Sequence, residues 1–333
     1  MDTPTSPPAA PATPADILAL PPGPLTAAEL AAAVPDARDR DRYERIWHGL
    51  YRRDDQPDDL RLRSIALART WPDGVLRGRS AALLWGDDSV PADALPEIWL
   101  PSTRRSRPGR IYRYGTLPPS AVTEIDGLRV TTPLRTCRDL AGDLGFEDAV
   151  VSVERLCARV PELPGQLAGA LEHPSGRGAR DFTAVARAAD PRSGSAVSTR
   201  ARLELRAAGL DGFRHGHAVR LGHFTVELPL ADPDARCVVF AAGDSATPSS
   251  SGRGTERFRE QLLHAGWTVI VARGDAAPGN AASLAGHHRA VDSGAGRRAA
   301  AVLRARWPSS EVRYPPADDP AADPHGMWSG PRR

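Results

Sequence analysis

The sequence predicts an α/β chain, of the α+β kind, with two folded regions joined near residue 190. Three observations predict it. Residues 198–273 read helix, strand, strand, helix, strand, and the central strand Cys237-Val238-Val239-Phe240 is apolar throughout. A strand of that kind is covered on both faces, which calls for a mixed sheet under helices. Residues 122–131 place Asp126-Gly127 between two β-prone runs, the signal of a hairpin with a type I′ turn. Ala149, Val150, Val153, Leu156, Cys157 and Val160 recur at helical spacing, so that segment packs one face on a core.

Each element follows in order. Residues 1–22 are rich in Pro, Ala and Thr and are expected to be disordered. The first folded region covers 23–185. It opens with Thr26 three residues before Glu29, the spacing of a capping box. The charged run 36–45 is expected to be helical. Residues 46–53, with Gly49 at a turn, are expected to form the wing of a small winged helix. Leu60, Ile65, Leu67 and Ala68 predict a helix that stops before Pro72, and 80–85 predicts another. Strands are expected at 97–100 and 110–114, and Pro133 suits the first position of a helix. The turn cluster Asp190-Pro191-Arg192-Ser193-Gly194 marks the join. The second region, 190–305, is expected to hold a helix at 198–208, strands at 224–230 and 236–243, a helix at 255–265 and a strand at 267–273. Gly209 and Gly266 sit where C-terminal caps belong. Residues 306–333 read as a flexible tail.

Composition narrows the classes. The chain has 333 residues, 41% hydrophobic and 25% charged, which suits a globular protein of two ordinary domains. It contains no lysine, so all 43 basic residues are arginine, and the net charge is only +2. Global charge therefore does not announce a nucleic-acid binder; its distribution has to be read. Cys137, Cys157 and Cys237 are far apart and odd in number. They predict neither a disulfide framework nor a structural zinc site and fit a reducing cytoplasm. No apolar run reaches membrane-spanning length, and the N-terminus lacks the basic and apolar regions of a secretory signal. Phosphate-binding glycine loops and nucleophile motifs are not visible, and His287-His288 has no matching ligands nearby in sequence.

Several words of sequence carry a resemblance. They are Trp47-His48-Gly49-Leu50-Tyr51, Arg79-Ser80-Ala81-Ala82-Leu83-Leu84-Trp85-Gly86 and the run from Asp126 to Thr136. Asp190-Pro191-Arg192-Ser193, Thr199-Arg200 and the run from Leu262 to Val269 complete the set. In this order and spacing the chain resembles an actinobacterial family related to AbiEi-type antitoxins of type IV toxin–antitoxin systems. The resemblance implies an N-terminal winged-helix and AbiEi-like region, then a restriction-endonuclease-like domain of the very-short-patch-repair type. The departures bear on chemistry. Where the family has a glutamate before Thr-Arg, this chain has Ser198, and Gly194 stands at a nearby acidic position. Its Val-Asp-Leu strand is here Val226-Glu227-Leu228. Where a strand should end Glu-x-Asp-Gly, this chain has Phe240-Ala241-Ala242-Gly243. Mg²⁺ wants oxygen ligands in octahedral array. Residues two apart in a strand share a face. Phe240 and Ala242 thus put a ring and a methyl where two carboxylates should meet Glu227. The expectation is a domain without catalytic residues, cofactor or metal, in which Ser198, Glu227, Phe240 and Ala242 are vestigial.

Candidate DNA contacts are arginines, which suit phosphate and guanine. Arg38, Arg40, Arg42 and Arg45 precede the wing, and Arg52 and Arg53 follow its tyrosine. Asp36, Asp39, Asp41 and Glu44 interleave with them and oppose a phosphate backbone. Arg104, Arg105 and Arg107, with Arg110, form a purer basic run in a loop between strands. The expected function is a non-catalytic, DNA-associated regulator whose partners are double-stranded DNA and a protein or toxin, with no membrane association and the oligomeric state open. Two alternatives stand beside it. One is a protein–protein interaction module without a nucleic-acid role. The other is a residual metal-dependent endonuclease using Glu227 with Asp244 and Glu204.

Overall fold

The computed structural model describes residues 20–47, 49–176, 178–241, 252–272 and 294–315. The chain is α+β, built of helices and of mixed and antiparallel sheets. Its contacts divide it into two units. The first holds the residues up to Leu84 with Val90–Thr132, and the second holds Trp85–Ser89 and everything from Pro133 onward. That division falls well before the turn cluster at 190.

The first unit begins with β1 (Leu25–Thr26), α1 (Ala27–Ala33), α2 (Ala37–Arg40), β2 (Tyr43–Trp47) and β3 (Leu50–Arg53), in a sheet of order β1-β3-β2. The capping box forms: Glu29 N donates to Thr26 Oγ1 at 3.2 Å, and Thr26 N donates to Glu29 at 2.7 Å. A hairpin, β2–β3, stands at the position expected for the wing. The expected helix over 36–45 is corrected, because only four residues, Ala37–Arg40, are helical and Arg45 lies in β2. The reason is packing. Tyr43 is buried against Leu30 and Val34 and pairs with Arg53, and a helix running through it would break both. The chain already packs at residue 20, since Leu20 joins this cluster and Tyr43 Oη donates to Pro21 O at 2.6 Å. The expected disorder over 1–19 lies outside the described residues.

The unit continues with α3 (Leu60–Thr70), β4 (Val75–Leu76), α4 (Gly78–Leu84), β5 (Glu97–Leu100), β6 (Ile111–Tyr114), β7 (Val122–Ile125) and β8 (Leu128–Thr131). Sheet order is β6-β5-β4-β8-β7. Leu60, Leu67, Leu76, Ile98 and Val130 are fully buried beneath it. Asp126 and Gly127 take φ of 50° and 76°, as a type I′ turn requires. The neighbours β5 and β6 run parallel. A parallel pair cannot be closed by a tight turn. Residues 101–110 must instead carry the chain back along the sheet before β6 can start.

The second unit is helical first: α5 (Pro133–Asp143), α6 (Phe146–Arg159), α7 (Leu163–Glu172), α8 (Ala179–Ala188) and α9 (Ala196–Ala207). Then come β9 (His217–Leu221), β10 (Phe224–Leu228), β11 (Leu230–Asp232), β12 (Cys237–Ala241), α10 (Gly252–His264), β13 (Thr268–Ala272), α11 (Gly294–Arg306) and β14 (Glu311–Arg313). The sheet β11-β12-β13-β14 is mixed, with a parallel β12–β13 pair at its centre. Alternation sorts its side chains. Val239 and Ile270 pack with Ala201 and Leu205 of α9 and Leu303 of α11. Val238, Phe240 and Val269 pack on the other side with Phe258 and Leu262 of α10.

Two expectations for this unit are corrected. The strand over 224–230 is broken at Pro229, which has no N–H to give a ladder. Its first half, β10, pairs with β9 and its second, β11, with β12. The tail does not begin at residue 306, because Trp307 is buried and Glu311–Arg313 pairs with β13. The rest of the tail, 316–333, lies outside the described residues.

Candidate nucleic-acid interface

The five-stranded sheet of the first unit positions a basic surface. Between Ile98 and Thr123 the chain carries five arginines and no carboxylate. The return loop 101–110 holds four of them, and Arg113 on β6 is the fifth. Arg104, Arg105 and Arg107 are exposed. Arg105 and Arg107 have no hydrogen-bond or ion-pair partner among the described residues. Arg104 lies over the Trp71 ring, 5.4 Å from its centroid, and Tyr114 Oη donates to the Arg104 carbonyl at 2.8 Å. Arg110 stacks on Trp47 of the wing at 3.9 Å. The loop is thus pinned at one end to β6 and α3 and at the other to the wing. Arginine heads held this way keep their charge and present a fork of donors, which suits phosphate oxygens.

The arginines around the wing are placed differently. Arg42 makes a two-pronged bond to Asp54 at 2.8 and 3.1 Å, Arg52 pairs with Glu44 at 2.8 Å, and Arg53 pairs with Asp55 at 2.5 Å. Arg40 donates to the Pro35 and Asp36 carbonyls, and Arg45 Nε donates to Trp47 O at 3.2 Å. Arg38 is exposed on the four-residue α2. Exposed ion pairs are individually weak. What counts is the local sum: residues 36–55 hold six arginines and six carboxylates, so this stretch is neutral. An approaching phosphate backbone meets the acids as well as the bases.

The positions that the resemblance marks as vestigial fall in the second unit. Ser198 is fully buried in α9, and its Oγ has no hydrogen-bond partner among the described residues. Glu227 is exposed on β10, opposite Ala218 of β9. Phe240 is buried, edge-on to Phe258 and beneath the Arg259 guanidinium. Glu204 is six residues beyond Ser198, about 120° around the helix. Its carboxylate accepts from Arg306 at 2.9 Å, so it faces away from Ser198 and is already engaged. Ala242, Asp244 and His287-His288 lie outside the described residues. Among the described residues no group of three His, Cys, Asp or Glu is placed to hold a metal ion.

Sequence reading missed a buried polar network in the same unit. Glu154 of α6, fully buried, accepts from Asp190 N at 2.7 Å, from Thr199 Oγ1 and from Arg202. Arg202 Nε donates to His215 Nε2 at 3.2 Å, and His215 Nδ1 donates to Pro229 O at 2.7 Å. These two bonds fit the neutral imidazole, and burial pushes the His215 pKa below the ordinary 6.5. The signal was present: Glu154 sits beside Val153 and three before Cys157, on the apolar face of its helix. A charge at such a position is buried only if paired. The words Asp190-Pro191-Arg192-Ser193 and Thr199-Arg200 flank this network, which ties α6, α9 and the turn before β9 together.

Compared with known proteins, the chain matches no family model, and neither a curated protein nor a solved structure matches it. No helix among the described residues is long and apolar enough to cross a membrane.

Proposed function

We propose that the protein is a non-catalytic regulator that contacts DNA through its first unit, in the manner of the AbiEi-type antitoxins its sequence resembles. The observation that carries this reading is the acid-free stretch of chain that exposes Arg104, Arg105 and Arg107, joined through Arg110 to Trp47. The second unit then serves for packing or for holding a protein partner such as a toxin. Its nuclease-like order of elements lacks the carboxylates that Mg²⁺ needs, with Ser198 buried and Phe240 inside the core. Fluorescence anisotropy of the full chain with its own upstream duplex and a scrambled duplex, across a salt series, tests the proposal. Binding that weakens steeply with salt supports it. Absence of binding at low salt, to these duplexes and to their separated strands alike, removes it. Incubation of the same duplexes with Mg²⁺ or Mn²⁺ should give no cleavage; cleavage abolished by Glu227→Ala would instead establish a residual nuclease.

A second reading, a protein-interaction module, is favoured by one feature of the second unit. Phe146 is 51% exposed at a cleft of about 500 Å³ that Ala184, Ala188, Leu203 and Ala207 also line. Recovery of a partner that survives nuclease treatment, from a chain that binds no DNA, would favour it.

A further inference from the structure

Arginines alone would make the surface on the first unit a phosphate site of any kind. The aromatic rings beside them ask for more. Trp71, Tyr112 and Tyr114 form a row: Trp71 and Tyr112 centroids are 6.2 Å apart, and Tyr112 and Tyr114 centroids 6.5 Å. Tyr112 and Tyr114 are two apart in β6 and so share a face of an edge strand. Trp71 Nε1 donates to Tyr112 Oη at 3.4 Å, and Tyr114 Oη donates to the Arg104 carbonyl, so the ring orientations are set before any ligand arrives. Tyr114, at the outer end of the row, is 37% exposed, so its ring is open to a ligand. Arg104 already covers Trp71.

Duplex DNA stacks its bases at about 3.4 Å along each strand and offers proteins only edges and phosphates, not ring faces. The rings stand edge-on to one another, at 86° and 66°, so it is the exposed face of Tyr114 and not the row that can stack on a base, and a paired duplex leaves that face unused. Unpaired bases, by contrast, stack on aromatic side chains and on guanidinium planes, while a neighbouring basic track holds the backbone. We infer that this surface takes a nucleic-acid strand with unpaired bases, one base stacking on Tyr114 while Arg105 and Arg107 hold the adjacent phosphates. The inference rests on the proposed nucleic-acid contact and narrows its ligand from a duplex to a single strand or an unpaired segment.

The test uses the full chain and two labelled probes with the same number of phosphates, a mixed-sequence single strand and a fully paired hairpin closed by a linker without bases. The single strand should bind about tenfold more tightly, and Tyr114→Ala should abolish that preference, weakening single-strand binding about tenfold beyond any loss in hairpin binding. Tyr114→Phe, which keeps the ring, should retain the preference. A 2-aminopurine base within the single strand should be quenched on binding to the unaltered protein. Equal or tighter hairpin binding, or an unchanged Tyr114→Ala affinity with no quenching, overturns stacking while leaving the phosphate contact standing. Binding of neither probe removes both.

Discussion

At the scale of single residues the second unit depends on a few buried polar groups with little tolerance. Glu154 and Arg202 are both out of water, and such a pair holds only while each has all its partners. His215 extends the chain of bonds in its neutral form, donating from Nδ1 and accepting at Nε2. Its pKa lies below the ordinary 6.5 in the folded chain because it is buried. The unfolded chain therefore binds the proton more tightly. This contribution to stability is complete above about pH 6.5 and is lost as pH falls. The thermal midpoint should drop between about pH 7 and pH 5, and His215→Asn, which keeps a donor for Pro229, should flatten that drop. Equal pH dependence in the two proteins would show that His215 plays no part in it.

At the scale of elements, legibility followed local chemistry. The capping box at Thr26 and Glu29, the turn at Asp126-Gly127 and the helix beginning at Pro133 could be read because each is fixed by two or three neighbours. The helices at Leu163–Glu172 and Gly294–Arg306 were missed because Gly, Pro and Ala dilute their apolar period. His217–Leu221 was missed because it becomes a strand only by pairing with Phe224–Leu228. The run at 36–45 looked helical from its charges, but Tyr43 belongs to a core that local pattern does not display. Of the candidate site, the loop arginines were legible and their aromatic neighbours were not, since Trp71 and Tyr114 both reach Arg104 only through the return of a parallel strand pair. Two glycines separate turn chemistry from close approach. A Cβ on Gly127 meets nothing within 4 Å, so Gly127→Ala should cost about 1–2 kcal/mol for its positive φ alone. A Cβ on Gly78 would lie 2.4 Å from Glu97 Oε2, in the buried pair with Arg77, so Gly78→Ala should cost on the order of 3 kcal/mol or more. Urea unfolding of the two variants checks the order; equal costs would mean the buried pair yields freely.

At the scale of the whole molecule a net charge of +2 conceals an uneven distribution. Residues 36–55 bring six arginines and six carboxylates, and the stretch from Ile98 to Thr123 brings five arginines and no carboxylate of its own. A charge summed over the chain cannot tell these apart, although the field near a ligand does. The central claim is that nucleic acid is held by the loop and not by the neutral wing. The direct test is the salt slope of binding to a DNA duplex with a single-stranded tail, for the full chain, for Arg105→Ala with Arg107→Ala, and for Arg42→Ala with Arg52→Ala. Removing one arginine from a phosphate lowers the slope by about one. The account predicts a slope lower by about two, with weakened binding, for the loop pair and little change for the wing pair. A reduced slope for the wing pair, with the loop pair unchanged, would contradict it.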